Sequence, residues 1–480
     1  MNLHHLADAC LLPGFAGHDA PDWVRARLAE GLGGVVLYHG NVRDRAQLTR
    51  LTAGLRAANP DVLIAIDEEG GDVTRLDLAD GSPWPGSLAL GVIDDTGLTA
   101  EVARHLGADL AAAGVNWNFA PVADVNTSAD NPAIAARAFG DDPATVARHT
   151  AAFVTGLQEQ RVAACAKHFP GHGGTTVDSH LDLPVDGEGR DYWQTVALPA
   201  FRAAIAAGTA SVMTAHLVVP AYDEAPATLS RTLITDVLRG ELTYDGVVVS
   251  DSLEMRAVYD HYGIVEAGVR AIAAGVDALC LGARNGESRT ERLREALVQA
   301  VRQGRLPEER LAEAAGRVRR LAAWARPVDG LAPDREIGLA AARRALRIHG
   351  AVRLSGPPLV LEFEPAITDA IGETGWGLSA ILRDRLPGTQ AVKITPDGPV
   401  PAPGYGHPVV VVVRDAHRHP WMAAAMGDLL AAHPDAVVVE MGVPHHRPAA
   451  RGYLATHGAS RACALAAVEV LLGTIGGNSS

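Results

Sequence analysis

The sequence predicts an α/β protein: a (β/α)8 TIM barrel followed by a smaller αβα sandwich. Three observations lead there. Short apolar runs ending in polar residues recur eight times, each followed by an alanine- and leucine-rich stretch. The runs are bounded by Gly, Pro or Asp and are apolar nearly throughout, as in Gly246-Val247-Val248-Val249, which suits a parallel sheet covered on both faces. The texture then changes at Ala325-Arg326-Pro327-Val328-Asp329-Gly330, where proline, glycine and charge cluster without periodicity.

In chain order the strand candidates are 11–15, 35–38, 62–67, 116–121, 163–169, 211–216, 246–251 and 277–282. Eight strand–helix units fit a closed barrel better than an open doubly wound sheet, the competing arrangement. The stretches between strands read as amphipathic helices. Between Glu101 and Ala113, Val102, Leu106 and Leu110 recur every fourth residue and share one face, and Gly114 is a suitable stop. The expected division is a barrel over 1–325, a linker over 326–339 and a second domain over 340–480. In the second half a helix is expected at 337–348, parallel strands at 359–363, 409–413 and 436–440, and a last helix at 461–472. The tail from Gly473 to Ser480 reads as mobile.

A chain of 480 residues with 48 % hydrophobic content exceeds one core and is ample for two. With 42 basic against 56 acidic side chains the net charge is -14, which argues against a nonspecific grip on nucleic acid or an anionic membrane. A small ligand in a locally basic pocket stays compatible with it. Four scattered cysteines, Cys10, Cys165, Cys280 and Cys463, make no disulfide framework and read as buried thiols. The first ten residues lack a signal-peptide pattern and no apolar run has membrane length, so a cytoplasmic protein is expected.

Barrels carry their chemistry at the C-terminal ends of their strands. Asp67 ends the third candidate, Lys167 and His168 the fifth, His216 the sixth and Asp251 the seventh. Taken singly, each has an ordinary use as a helix cap or surface ion pair. Jointly, they place chemically capable groups at one mouth. A carboxylate at a rigid strand end can attack an electrophilic carbon. Asp178 and His180, two apart in a glycine-flanked loop, form a pair in which the carboxylate fixes one imidazole tautomer and strengthens it as a base. Asp67, Arg75, Arg137, Lys167, His168 and His216 are residue types that grip sugar hydroxyls. The acidic Asp67-Glu68-Glu69-Gly70-Gly71 run lacks the Gly-x-x-x-x-Gly-Lys pattern of a phosphate loop. His168, His172, His180, His216 and Asp251 are also the residue types of a zinc hydrolase. No His-x-His or His-Glu-x-x-His spacing appears, and Lys167 would repel a cation, so no metal and no cofactor are expected.

Several segments carry a family resemblance: Asp67-Glu68-Glu69-Gly70-Gly71 with Arg75, Asn131-Pro132 through Arg137-Ala138-Phe139-Gly140, Lys167-His168-Phe169-Pro170-Gly171-His172-Gly173 with Asp178-Ser179-His180, and Ser250-Asp251-Ser252-Leu253-Glu254-Met255. Through most of residues 10–325 the chain resembles glycoside hydrolase family 3 of the bacterial β-N-acetylglucosaminidase type, in its two-domain form. The resemblance implies a retaining exo-β-N-acetylglucosaminidase with Asp251 as nucleophile and His180, paired with Asp178, as general acid and base. It implies that Asp67, Arg75, Arg137, Lys167 and His168 line the N-acetylhexosamine pocket, with His216 and Met255 beside them. The partner implied is a small saccharide ending in N-acetylhexosamine, with neither nucleic acid nor membrane. A β-N-acetylglucosaminide phosphorylase, a metal-dependent hydrolase and a noncatalytic sugar-binding protein are the competing readings. The family usually has Gln where Glu68 stands and Arg where Asp72 stands. A more acidic outer pocket is the first expectation, local neutralisation the second, and a neutral chito-oligosaccharide the substrate favoured.

Overall fold

The computed structural model describes residues 2–326, 330–365, 375–396, 398 and 407–474. Residues 327–329 of the expected linker and 475–480 of the expected mobile tail lie outside the described residues.

All eight strand candidates of the first half are strands. They are β1 Leu11–Pro13, β2 Gly34–Leu37, β3 Leu63–Ile66, β4 Trp117–Asn118, β5 Ala163–Phe169, β6 Ser211–Thr214, β7 Val247–Ser250 and β8 Leu279–Leu281. From β2 to β7 they pair in sequence order, every pair parallel. A bridge between Val249 and Ala278 leads from β7 to β8, and β8 pairs with β1. The ring closes where β1 meets β2: a Cβ on Gly34 would lie 3.0 Å from Leu12 Cδ2. This is the (β/α)8 barrel that the alternating pattern predicts.

The barrel is filled, not hollow. Leu12, Val36, Leu63, Ala65, Trp117, Ala163, Cys165, Met213, Val247, Val249 and Cys280 form one buried cluster with Val318, Leu321 and Ala322. The last three come from the helix Glu308–Trp324, which lies across the N-terminal ends of the strands. There Ala325 accepts a hydrogen bond from Asn116 Nδ2 at 3.2 Å, and Arg317 pairs with Asp245 just before β7. Trp117, the largest side chain in the cluster, satisfies its indole N–H on Ser211 Oγ at 2.7 Å. With one end plugged, polar side chains have only the C-terminal ends of the strands at which to gather.

The second half is a six-stranded sheet. Its strands are β9 Arg347–Gly350, β10 Leu359–Phe363, β11 Gln390–Ile394, β12 Val409–Val413, β13 Val437–Glu440 and β14 Gly452–Ala455, in the spatial order β9-β14-β13-β12-β10-β11. Valines alternate between its faces. Val410, Val412, Val437 and Val439 pack with the helices Glu336–Ala345 and Arg461–Leu472. Val409, Val411, Val413 and Val438 pack on the other side with the helix Pro420–Ala432. That is the αβα sandwich. Two expectations need correction here. The helix expected to reach residue 348 stops at Ala345, because Leu346 turns extended (φ -60, ψ 137) and residues 347–350 pair antiparallel with β14. The short all-parallel sheet is twice the expected size and mixed, since β9, β11 and β14 lack the uninterrupted apolar run that betrays a central strand.

The chain clusters into two compact units, which differ in composition from a simple two-part division. One comprises Met1–Glu69, Thr99–Ile134 and Asp141–Pro333; the other comprises Gly70–Leu98, Ala135–Gly140 and Asp334–Ser480. Two segments from the barrel's half of the sequence therefore belong structurally with the sandwich. Among the described residues no helix is long and apolar enough to cross a membrane.

Candidate active site

Strand β5 ends in a buried polar cluster of the first unit. Lys167 is 2 % exposed, so its ammonium needs counter-charge. Asp67 Oδ1 at the end of β3 accepts from Nζ at 2.6 Å, and Glu69 Oε1 lies 2.7 Å away. His168 Nδ1 donates to Asp124 Oδ2 at 2.7 Å, which turns Nε2 away from the carboxylate. The other oxygen of Asp124 accepts from the backbone N–H groups of His168 at 3.2 Å and His172 at 2.7 Å. Both Lys167–His168 and Phe169–Pro170 peptide bonds are cis.

His172 occupies the turn after β5 and is buried. Its ring bonds with Thr175 Oγ1 at 2.8 Å and Ser179 Oγ at 3.2 Å, and burial pushes its pKa down. It thus tethers the loop on which Asp178 and His180 stand. Ser179 is held from its other side, where its carbonyl accepts from Ala257 N–H. Asp178 Oδ1 accepts twice from His180, from Nδ1 at 2.8 Å and from the backbone N–H at 2.9 Å. Burial raises the Asp178 carboxyl, but the hydrogen bonds and charge of His180 outweigh it and hold the group below the usual carboxylate value. The His180 side chain is 25 % exposed against 6 % for Asp178. The pair presents an oriented imidazole to the solvent side.

Asp251 follows β7. Its Oδ1 accepts from Ser252 N–H at 2.7 Å, and Oδ2 accepts no hydrogen bond among the described residues. Burial pushes this carboxyl up, yet the imidazoles of His216, His168 and His180 together pull it below its ordinary value. Residues 168, 180, 216 and 251 therefore share one electrostatic neighbourhood. His216 is fully buried after β6, with Nε2 donating to the Ser252 carbonyl at 3.0 Å and Nδ1 bonded to Thr228 Oγ1 at 2.8 Å. Burial pushes its pKa down against the pull of Asp251, and its two hydrogen bonds brace the turn that carries the carboxylate. Met255 closes that turn, its N–H donating to the Ser252 carbonyl at 3.0 Å.

Asp67, Lys167, His168, His216, Asp251, Met255, Asp178 and His180 all belong to the first unit. Arg75 and Arg137 do not; both are buried in the second. The structure describes both acidic departures as well. Asp72 lies in the second unit with its charge met by Arg414 at 2.7 Å, and Glu68 is fully buried, its N–H donating to Asn118 Oδ1 at 3.0 Å. Local neutralisation is thus the outcome for Asp72. Asp124, Glu69 and Thr228 escaped the sequence reading. Asp124 was recoverable, since it ends the apolar stretch Pro121-Val122-Ala123 just as the other strand-end residues do. Among the described residues no group of three or more His, Cys, Asp or Glu has a metal-holding arrangement.

Residues 18–321 match the model of the glycosyl hydrolase family 3 N terminal domain. The chain belongs to glycosyl hydrolase family 3. This glycoside hydrolase is 38 % identical over 279 residues to a beta-hexosaminidase of Stenotrophomonas maltophilia, covering 56 % of this chain and 82 % of that protein. It is 33 % identical over 316 residues to beta-hexosaminidase A of Pseudoalteromonas piscicida, covering 60 % of this chain and about half, 53 %, of that one. Among solved structures it is similar to a family 3 beta-N-acetylglucosaminidase from Paenibacillus sp., with a TM-score of 0.89 at 32 % identity over 100 % of this chain and 98 % of the other.

Proposed function

We propose that the protein is a retaining exo-β-N-acetylglucosaminidase that removes terminal N-acetylhexosamine from small oligosaccharides or glycoconjugates. One observation carries the reading: an imidazole oriented by Asp178 at 2.8 Å sits in the electrostatic neighbourhood of Asp251, whose Oδ2 accepts no hydrogen bond among the described residues.

In the first step Asp251 Oδ2 attacks the anomeric carbon while His180 Nε2 gives its proton to the departing glycosidic oxygen. The depressed pKa keeps Asp251 ionised, and Asp178 stabilises the imidazolium that must exist before transfer. In the second step neutral His180 takes a proton from water, which displaces Asp251 from the sugar. Two inversions retain the anomeric configuration. Asp67, Lys167, His168, His216 and Met255 are proposed to bind or shape the sugar site, and the roles of Arg75 and Arg137 in sugar binding rest on the family resemblance. No metal or cofactor enters the scheme. The four buried, unpaired cysteines are compatible with a reducing cytoplasm, the proposed setting.

Trapping tests the reading. A fluorinated N-acetylglucosaminyl fluoride should label Asp251, located by peptide mass; a label elsewhere removes the nucleophile. Turnover of an aryl N-acetyl-β-glucosaminide in phosphate buffer should yield free sugar. Sugar 1-phosphate would make the protein a phosphorylase.

A further inference from the structure

The loop that follows β5 is packed inside out. Across residues 175–181 the apolar side chains of Val177 and Leu181 are 39 % and 63 % exposed, whereas Thr175, Asp178 and Ser179 are 4 %, 6 % and 4 % exposed. Buried polar groups beside bared apolar ones invert the usual pattern, so hydrogen bonds rather than apolar burial hold this stretch. Asp178 is bonded to His180. Thr175 and Ser179 are both bonded to one ring, that of His172.

His172 is fixed on its own account. It is 3 % exposed, its N–H donates to Asp124 Oδ1 at 2.7 Å, and its carbonyl accepts from Asn131 Nδ2 at 2.8 Å. Gly173, next in the chain, lies so close to Val125 that a Cβ would fall 1.8 Å from its carbonyl oxygen, so this turn has no room to shift. The two ring nitrogens then have separate duties. Thr175 O–H donates to the His172 carbonyl at 3.1 Å, so its oxygen accepts from Nδ1–H at 2.8 Å. Burial disfavours the charged ring, and in the neutral form Nε2 accepts from Ser179 O–H at 3.2 Å. The Ser179 carbonyl accepts from Ala257 N–H at 3.3 Å, on the helix Arg256–Ala274 that follows the turn of Asp251. Ser179 is therefore gripped between a fixed imidazole and the element next to Asp251, and His180 is the following residue. All of these residues belong to the first unit.

We propose that His172 is a positioning residue for proton transfer: through Nε2 and Ser179 it sets where the His180 imidazole stands relative to Asp251. The proposal rests on the reading of His180 as general acid and base. Neither His172 nor Ser179 exchanges a proton with the substrate.

Leaving-group dependence and hydrogen exchange test it on the full chain, after a thermal melt has established that each variant is folded. Ser179→Ala removes only the contact to Nε2. Its kcat/KM should fall roughly tenfold with methyl N-acetyl-β-glucosaminide, whose leaving group needs a proton, and stay within about twofold with the dinitrophenyl glycoside, whose leaving group does not. A merely structural loss would lower both alike. At position 172 an Asn amide stands in for Nδ1 and a Gln amide for Nε2. His172→Gln should therefore keep more of the methyl glycoside rate than His172→Asn. Amides of residues 176–182 should exchange faster in Ser179→Ala while those of 163–169 stay unchanged. A folded Ser179→Ala with wild-type kcat/KM on the methyl glycoside, equal losses on both substrates, or a His172→Asn at least as active as His172→Gln overturns the proposal. Should the His172 variants not fold, the Ser179 arm decides alone. Wild-type protein without turnover, or a His180→Ala variant that loses both substrates equally, removes the reading of His180 instead. The exchange arm needs no substrate, so unchanged exchange at 176–182 defeats the positioning claim in either case.

Discussion

Asp251 and Asp277 stand at opposite ends of the barrel, one after β7 and one before β8, and they are treated in opposite ways. Asp277 is fully buried and saturated: Arg239 donates to it at 2.5 Å, Val248 N–H at 3.0 Å, Arg310 pairs with its other oxygen, and Arg317 lies 3.6 Å off. Asp251 has one backbone donor and a ring of imidazoles acting at a distance. The same side chain is a structural strut where N–H donors occupy its lone pairs and, in the function proposed above, a nucleophile where one oxygen is spared. Burial alone does not tell them apart; the count and kind of donors does.

The contrast is broken or sharpened by substitution. Asp251→Ala should remove about 10⁴–10⁶ of kcat at an almost unchanged melting temperature, read by initial rates and a thermal melt. Asp277→Ala should do the reverse, costing about 3–5 kcal/mol of stability by leaving buried guanidinium charge unpaired while the folded fraction keeps its kcat. Should both variants lose activity without losing stability, the assignment of floor and mouth fails. Next in size is His180→Ala, with a loss of roughly 10²–10⁴ on substrates with poor leaving groups and far less on activated phenolates, which leave unaided. Asp124→Asn should raise KM by roughly tenfold through misorientation of His168, a smaller loss because no proton transfer depends on it.

The smallest effect is in pH. Asp178 and Asp251 both titrate below the ordinary value of 3.8, so a limb of kcat/KM between about pH 5 and 8 belongs to an imidazole. With activated phenolates, His180→Ala should abolish one such limb. For stability the sign follows from His172 and His216. Burial lowers both from 6.5, so below that pH the unfolded chain takes up protons that the folded chain refuses. Their contribution is complete above pH 6.5 and is lost as pH falls through that region. Tm should drop on acidification from neutral pH, and His216→Gln should flatten the slope.

The barrel was legible because each of its eight strands is an apolar run punctuated by Gly, Pro or Asp, a signal contained within a few residues. Asp67, Lys167, His168, His216 and Asp251 were legible by the same rule, standing where such runs stop. What the sequence hid depends on distant partners. Strand β9 is four unremarkable residues, Arg347–Gly350, made a strand by β14 a hundred residues on. Arg75 and Arg137 sit amid barrel sequence, yet long-range packing assigns them to the other unit. Asp72 read as excess negative charge until Arg414, 342 residues away, came alongside.

The valine strands of the sandwich have a consequence for handling the protein. Val409–Val413 is an unbroken run of five, and Val437–Val439 adds three more, all buried in the fold. Released into water, such segments are ready templates for intermolecular cross-β stacking, with Pro408 and Arg414 bordering the first and Asp435 and Glu440 close to the ends of the second. Heating past the transition should therefore end in precipitate, with a midpoint that climbs as the scan is made faster.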